Sequence, residues 1–365
     1  MIFNCDGGFY HNKIPSLTEW MEKINLPNIL EFRNEDNQKY SRLEKLHKII
    51  GINYNIPEKI GIGDITKKFK NLYTKKRNLK CNIRIIPKTP NFPKLRIRAT
   101  PFKEGMEWFY KQKIKPANYE NIEIIKYNEE ILYSAVFLIN DFGIWGEAIN
   151  GYLWQLAYGV HKKNPALFNF NFKKWDFDSS DRLMVKLIRQ SIRTLLIDDE
   201  NQKEKLENYL DAEFTTDGYL KGYFEFVIWP DEGTLFMDYN RVIYKLMNNF
   251  TFSLKKKKEI RSDGICANPG MAHGRARIIN NPTENNFTEE DILICKVATI
   301  EHAQMIKKAK AIITEQGNIL SHISIVSREL NKPCIVMAKD ITKKIQNGDK
   351  IFIDATKGTI IVTSE

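Results

Sequence analysis

Ala311-Ile-Ile-Thr314-Glu-Gln-Gly317-Asn-Ile-Leu-Ser321-His322-Ile-Ser-Ile-Val-Ser-Arg328-Glu-Leu-Asn-Lys-Pro333 is the stretch on which the reading of this chain turns. Ala311 to Thr314 is an apolar run ended by Gly317 and Asn318, the pattern of a buried strand entering a turn. Ser321 is an N-cap residue type, and Ile323, Val326 and Leu330 recur at helical spacing until Pro333 forbids continuation. His322 is therefore expected in the first turn of a short helix behind a strand. Unpaired backbone N–H groups and the positive end of the helix dipole meet there, and both favour an anion. A neutral imidazole at that place is a competent nucleophile and can carry a phosphoryl group. Taken alone, a histidine near a helix start is more often a cap or a surface residue, so its neighbours must decide.

Those neighbours resemble a known pattern. The phosphohistidine swivelling domain of the phosphoenolpyruvate synthase and pyruvate phosphate dikinase family reads approximately T-x-x-G-G-x-x-S-H-x-A-I-V-A-R-E-x-x-x-P. This chain is similar to it at Thr314, Gly317, Ser321, His322, Ile325, Val326, Arg328, Glu329 and Pro333. Upstream, Gly264-Ile-Cys-Ala-Asn-Pro-Gly270 and Asp291-Ile-Leu-Ile-Cys-Lys-Val-Ala-Thr299 resemble the family's opening strand and its "GDILV…T" segment. Downstream, Lys350 to Asp354 alternates as a strand, and Gly358 turns it into a closing hairpin. Asn318 stands where the family has a second glycine, and asparagine is the side chain that best tolerates a left-handed backbone after Gly317. Leu320 stands where many members have threonine, which speaks against regulatory phosphorylation beside the histidine.

Three upstream pieces add chemistry. Tyr223 to Ile228, a turn at Pro230-Asp-Glu-Gly233, and Leu235 to Arg241 read as a hairpin. Alternation puts Asp238 and Asn240 on one face with Glu225 available from the partner strand, an oxygen set that suits Mg²⁺ between protein and nucleotide phosphates. The pair resembles the metal-binding strands of ATP-grasp domains, which implies metal contacts for Glu225, Asp238 and Asn240 and a nucleotide contact for Arg241. Asp141 to Gly151 is similar to the family's "GLGE-x-V-x-G", which implies that Glu147 faces the nucleotide. Arg96-Ile-Arg98-Ala-Thr100 resembles "VRSSAT" and implies a phosphate contact for Arg98, whose guanidinium matches phosphate geometry. The family's early "GGK" has only a weak counterpart in Gly7-Gly8 and Lys13.

Composition fits this reading. With 365 residues, 42% hydrophobic and 12% aromatic, the chain has room for two or three packed domains. No apolar run reaches the length of a membrane span, and Met1 to Gly8 carries no leader pattern. Five cysteines are scattered singly with no C-x-x-C pair, so neither a zinc site nor a disulfide framework is expected. Together these point to the cytoplasm. The net charge of +11 invites a nucleic-acid reading. Its tight clusters, Lys75-Lys76-Arg77 and Lys255 to Lys258, lack interleaved aromatics, so nucleic acid is not the expected partner.

The expected fold class is α/β of the mixed α+β kind. A divergent ATP-grasp-like nucleotide-binding domain over 1–254 is followed by a charged linker at 255–263 and a small swivelling β/β/α phosphohistidine domain over 264–365. By resemblance the chain is an ATP- and Mg²⁺-dependent phosphotransferase that passes phosphoryl through His322 to a small-molecule acceptor, or to a site on a separate acceptor subunit. The alternative is a phosphocarrier or regulatory subunit without ATP chemistry of its own.

Overall fold

The computed structural model describes residues 14–65, 72, 76–161, 163–249, 251, 263–280, 282 and 286–363. Gly7, Gly8, Lys13 and residues 255–262 of the expected linker lie outside them. The fold class is mixed α/β, built on three sheets.

Ser16 opens the described chain with a capping box. Glu19 N–H donates to Ser16 Oγ at 3.3 Å, and Ser16 N–H donates to Glu19 Oε2 at 2.7 Å. The helix so started, Leu17–Ile24, ends on Asn25 in the left-handed region at φ 60°. The apolar spacing from Ile14 to Leu30 would suit one longer helix. Leu26 and Pro27 interrupt it instead, and a second helix, Ile29–Asn37, follows before a third at Lys39–Ile50.

The first sheet has order β1-β4-β2-β3, from β1 (Glu58–Gly61), β2 (Lys80–Pro87), β3 (Leu95–Pro101) and β4 (Tyr119–Lys126). The second comprises β5 (Tyr133–Asn140), β6 (Gly143–Ile149), β7 (Ala166–Phe170), β8 (Trp175–Phe177), β9 (Gly222–Trp229) and β10 (Gly233–Asn240), in the order β10-β9-β5-β6-β7-β8. Alternation along β5 and β9 sorts its side chains. Phe137, Phe224 and Phe226 pack under helices Lys39–Ile50, Arg182–Arg193 and Glu200–Leu210, while Val136, Leu138 and Tyr223 face the opposite way. Both faces are covered, which is why β5 and β6 are buried at every position.

The third sheet runs β11-β15-β14-β13-β12-β16-β17, from β11 (Ile265–Asn268), β12 (Met271–Ile278), β13 (Asp291–Cys295), β14 (Ala311–Thr314), β15 (Cys334–Val336), β16 (Lys350–Asp354) and β17 (Thr359–Val362). β13, β14 and β15 are parallel, with helix Ala303–Lys308 and helix His322–Glu329 as their crossovers. Ile323, Ile325 and Val326 of the latter join Trp20, Tyr158, Tyr223 and Ile243 in one continuous apolar core, which therefore spans the second and third sheets. Cys295 and Cys334 are buried free thiols in this packing. Among the described residues no helix is long and apolar enough to cross a membrane.

Candidate active site

His322 is the first residue of its helix and Ser321 its N-cap, but Ser321 makes no cap hydrogen bond. Its Oγ instead donates to Asn318 O at 2.8 Å and accepts from Asn318 N–H at 3.2 Å, closing the loop on itself. Gly317 takes φ 138°, a backbone that favours glycine. Asn318 is not left-handed as expected; its side chain reaches outward, donating to Leu156 O at 3.0 Å and meeting His161 Nε2 at 2.8 Å. Thr314, at the end of β14, is fully buried and its Oγ1 has no partner among the described residues.

Two contacts from the second sheet pin this loop. Glu147, 1% exposed on β6, accepts from Ile319 N–H at 2.9 Å and from Leu320 N–H at 3.1 Å. Gly159, the left-handed C-cap of helix Leu153–Tyr158 at φ 67°, lies so close to Gly317 that a Cβ on it would sit 2.2 Å from Gly317 Cα. His322 is thereby set against Tyr158, with ring centroids 5.1 Å apart, and edge-on to Trp20 at 6.0 Å.

The imidazole looks into a cavity of about 280 Å³ that Lys39, Arg96, Arg98, Glu225 and Asp238 also line. β3 carries Arg96 and Arg98 on one face, as alternation requires. Arg98 donates to Ile14 O, and Arg96 Nη2 lies 3.2 Å from Asp36 Oδ2. Partial burial works against its charge, yet Lys94, Arg96 and Arg84 hold the Asp36 carboxyl well below the usual carboxylate range. Burial first, then the Arg98 and Arg96 charges, push the His322 pKa down to about 3. The ring is therefore neutral at physiological pH with its lone pair available. The far end of the cavity is apolar and aromatic, lined by Ile131, Tyr152, Trp154, Val227, Trp229 and Met237.

The expected acid pair is present. A register shift between Phe236 and Asp238 in β10 puts Asp238 opposite Glu225. Lys39 Nζ lies 3.3 Å from Asp238 Oδ2. Burial works against its charge, but Asp238 and Glu225 outweigh it and raise the Lys39 pKa. Burial likewise raises that of Glu225, against the pull of Lys39. Asp238 Oδ1 is buried with no hydrogen-bond partner among the described residues; Arg42 Nη2 stands 3.7 Å from it, which leaves the oxygen charge-balanced but with an unfilled acceptor position. Two carboxylates plus nucleotide phosphates are a donor set that suits Mg²⁺.

Of three further expected contacts, one borders the cavity and two fall elsewhere. Asn240 borders the cavity, but its Oδ1 accepts from Ile243 N–H at 2.9 Å as the N-cap of helix Arg241–Met247, so that oxygen is committed. Arg241 turns out of the cavity into an ion pair with buried Glu35 at 2.7 Å. Glu147 serves the loop described above and does not line the cavity. In turn, Lys39, Arg96 and Asp36 line the cavity without having been singled out as site residues. Arg96 had a signal, its period-two spacing from Arg98, whereas Lys39 and Asp36 arrive from helices with no motif of their own.

Comparison with known proteins bears on the part of the chain that holds His322. The family described as PEP-utilising enzyme, mobile domain, matches residues 287–358. A probable phosphoenolpyruvate synthase of Pyrococcus horikoshii is 34% identical over 133 residues, 36% of this chain and 16% of that protein. The phosphoenolpyruvate synthase of Pyrococcus furiosus is 34% identical over 134 residues, again 36% and 16%. An uncharacterized phosphotransferase of Bacillus subtilis, YvkC, is 37% identical over 111 residues, 30% of this chain and 13% of that protein. The match thus spans less than a fifth of these relatives' lengths. Among solved structures, the macrocyclase MdnC of Microcystis aeruginosa aligns over 56% of this chain and 53% of its own at 15% identity and TM-score 0.30. Residues 287–358, which hold the apolar strand, the loop and the histidine-led helix, are similar to the mobile domain of the PEP-utilising enzymes.

Proposed function

We propose that the chain is an ATP-dependent phosphotransferase in which His322 takes a phosphoryl group from a nucleotide and passes it on. The observation that carries this reading is the shared cavity: His322, Arg96, Arg98, Glu225 and Asp238 converge on one space with an aromatic far end suited to a base. In this proposal residues 1–254 form an ATP-grasp-like unit and residues 264–365 the mobile one, joined by the 255–263 segment.

The lone pair of neutral His322 attacks a phosphorus of the bound nucleotide, and a P–N bond forms. The bond from that phosphorus to its bridging oxygen breaks, and the electron pair leaves on the nucleotide's phosphate. Arg96 and Arg98 stabilise the charge on the transferring group and the leaving oxygens. Magnesium held by Glu225 and Asp238 would supply further neutralisation there. The phospho-imidazole then delivers its group to an acceptor, a small molecule or a site on another subunit; splitting the transfer in two lets one nucleophile serve two pockets.

Incubation with ATP labelled separately at the β and γ positions tests this. Acid-labile label on His322 is expected, with His322→Ala abolishing it while nucleotide affinity stays nearly unchanged. A His322→Ala protein that is still labelled, or wild type that never is, refutes the reading. A phosphocarrier without ATP chemistry is the second reading, favoured by the commitment of Asn240 to its helix and of Lys39 to the acid pair. Label that appears only with phosphoenolpyruvate or a partner protein decides for it.

A further inference from the structure

On the opposite face of the second sheet from the cavity, at its β8 edge, helix Arg182–Arg193 borders an open groove of about 760 Å³. Arg182, Lys186, Arg189 and Arg193 all line it, and Lys173 adds a fifth charge from the loop before β8. Their spacing of four, three and four residues puts them on one helix face, a row about 16 Å long with about one turn between charges. No carboxylate lines the groove. All five are exposed, and among the described residues none of them is in an ion pair. Uncompensated like charges one turn apart destabilise a helix slightly, and a polyanion along the row would relieve that repulsion.

The side wall is aromatic. Phe170 and Trp175 stack with centroids 4.5 Å apart and planes at 10°, and the Arg189 guanidinium lies 6.0 Å over the Trp175 ring. Tyr219 closes the same groove.

We propose that this groove binds single-stranded nucleic acid, the phosphates following the 182–193 helix and the bases turned to the aromatic wall. A row of charges suits a polymer better than a single phosphate, for which one fork would suffice. Three of the five cations are arginines, whose planar donors match phosphate oxygens, and rings beside a charged track are the combination that single-stranded nucleic acids use. An acidic polypeptide would use the charges but not the ring wall. Reading the sequence for tight basic runs misses the site, because its cations are three and four residues apart and its rings come from other elements.

Fluorescence anisotropy of the full chain with a labelled oligothymidylate, in saturating Mg·ATP to fill the cavity, tests it. Four phosphate contacts predict a slope of log K against log salt of about −2.8, or about fiftyfold weaker binding between 50 and 200 mM salt. Arg189→Ala with Arg193→Ala should reduce the slope to about −1.4. A control pair on another surface, Lys307→Ala with Lys308→Ala, should leave it unchanged. Absence of binding at low salt, or equal loss in the control pair, overturns the proposal. So does a polyglutamate chain that binds where the oligonucleotide does not, which would assign the groove to an acidic protein.

Discussion

Replacing Glu147 by glutamine changes one buried atom in the latch that holds the histidine loop. The carboxylate accepts two N–H groups, Ile319 at 2.9 Å and Leu320 at 3.1 Å, at a position 1% exposed. Glutamine keeps one acceptor and turns an amide donor toward the other N–H, so a charge-assisted bond is lost and two donors face each other. Hydrogen bonds to charged groups contribute about 1.5–3 kcal/mol, and loss of one shifts the closed-to-open ratio of this contact roughly 10- to 150-fold. Hydrogen exchange of the amides in 17–24 and 322–329 reports it, because these helices pack against each other and neither supplies the two N–H groups that Glu147 accepts. Their exchange should accelerate by that factor, while the core strand β13 stays as slow as in wild type. Unchanged exchange in both helices would show that the latch does not hold the contact. Equal acceleration in β13 would show a general loss of stability instead.

Other expectations follow from the same geometry. His322 has a folded pKa of about 3 against about 6.5 for a free ring, so between these values the open or unfolded state binds more protons. The closed contact should therefore be at full strength above about pH 6.5 and weaken as pH falls below it, by at most about 1.4 kcal/mol per unit and less for this partly exposed ring. Exchange of 17–24 corrected for intrinsic rate reads this, and a His322→Gln protein with the same pH profile would refute it. Gly159→Ala should open the contact by at least about 1 kcal/mol, since a Cβ there meets the Gly317 backbone at 2.2 Å and φ is 67°; wild-type exchange in 322–329 would count against this. Glu225→Gln should weaken Mg²⁺-dependent nucleotide binding about tenfold or more, and calorimetry giving an unaltered Kd would remove Glu225 from the metal site.

Local patterns were legible where one short segment sets them. Residues 311–333 form the strand, loop and helix expected, and the 223–241 hairpin aligns its acids. What was not legible needs two distant segments at once. Asn318 was judged by its backbone tolerance, whereas its neighbours Leu156 and His161 give it a hydrogen-bonding role. Arg241 follows Asn240 in sequence, but Glu35, about two hundred positions earlier, sets its direction. Lys39 enters the cavity only because helix Lys39–Ile50 packs on β10.

The ammonium of Lys39 beside Asp238 and Glu225 makes the apo protein self-sufficient. Two acids enclosed without a counterion would repel each other and resist folding, so a tethered charge of the right sign lets the newly made chain close before any divalent ion arrives. If the acid pair holds magnesium with a nucleotide, as proposed, the same tether sets an order of arrival. An ion entering alone must displace a charge that cannot diffuse away, whereas one escorted by triphosphate gives that ammonium a new anion to follow. Occupancy of the acid pair should then track the nucleotide rather than the free ion concentration.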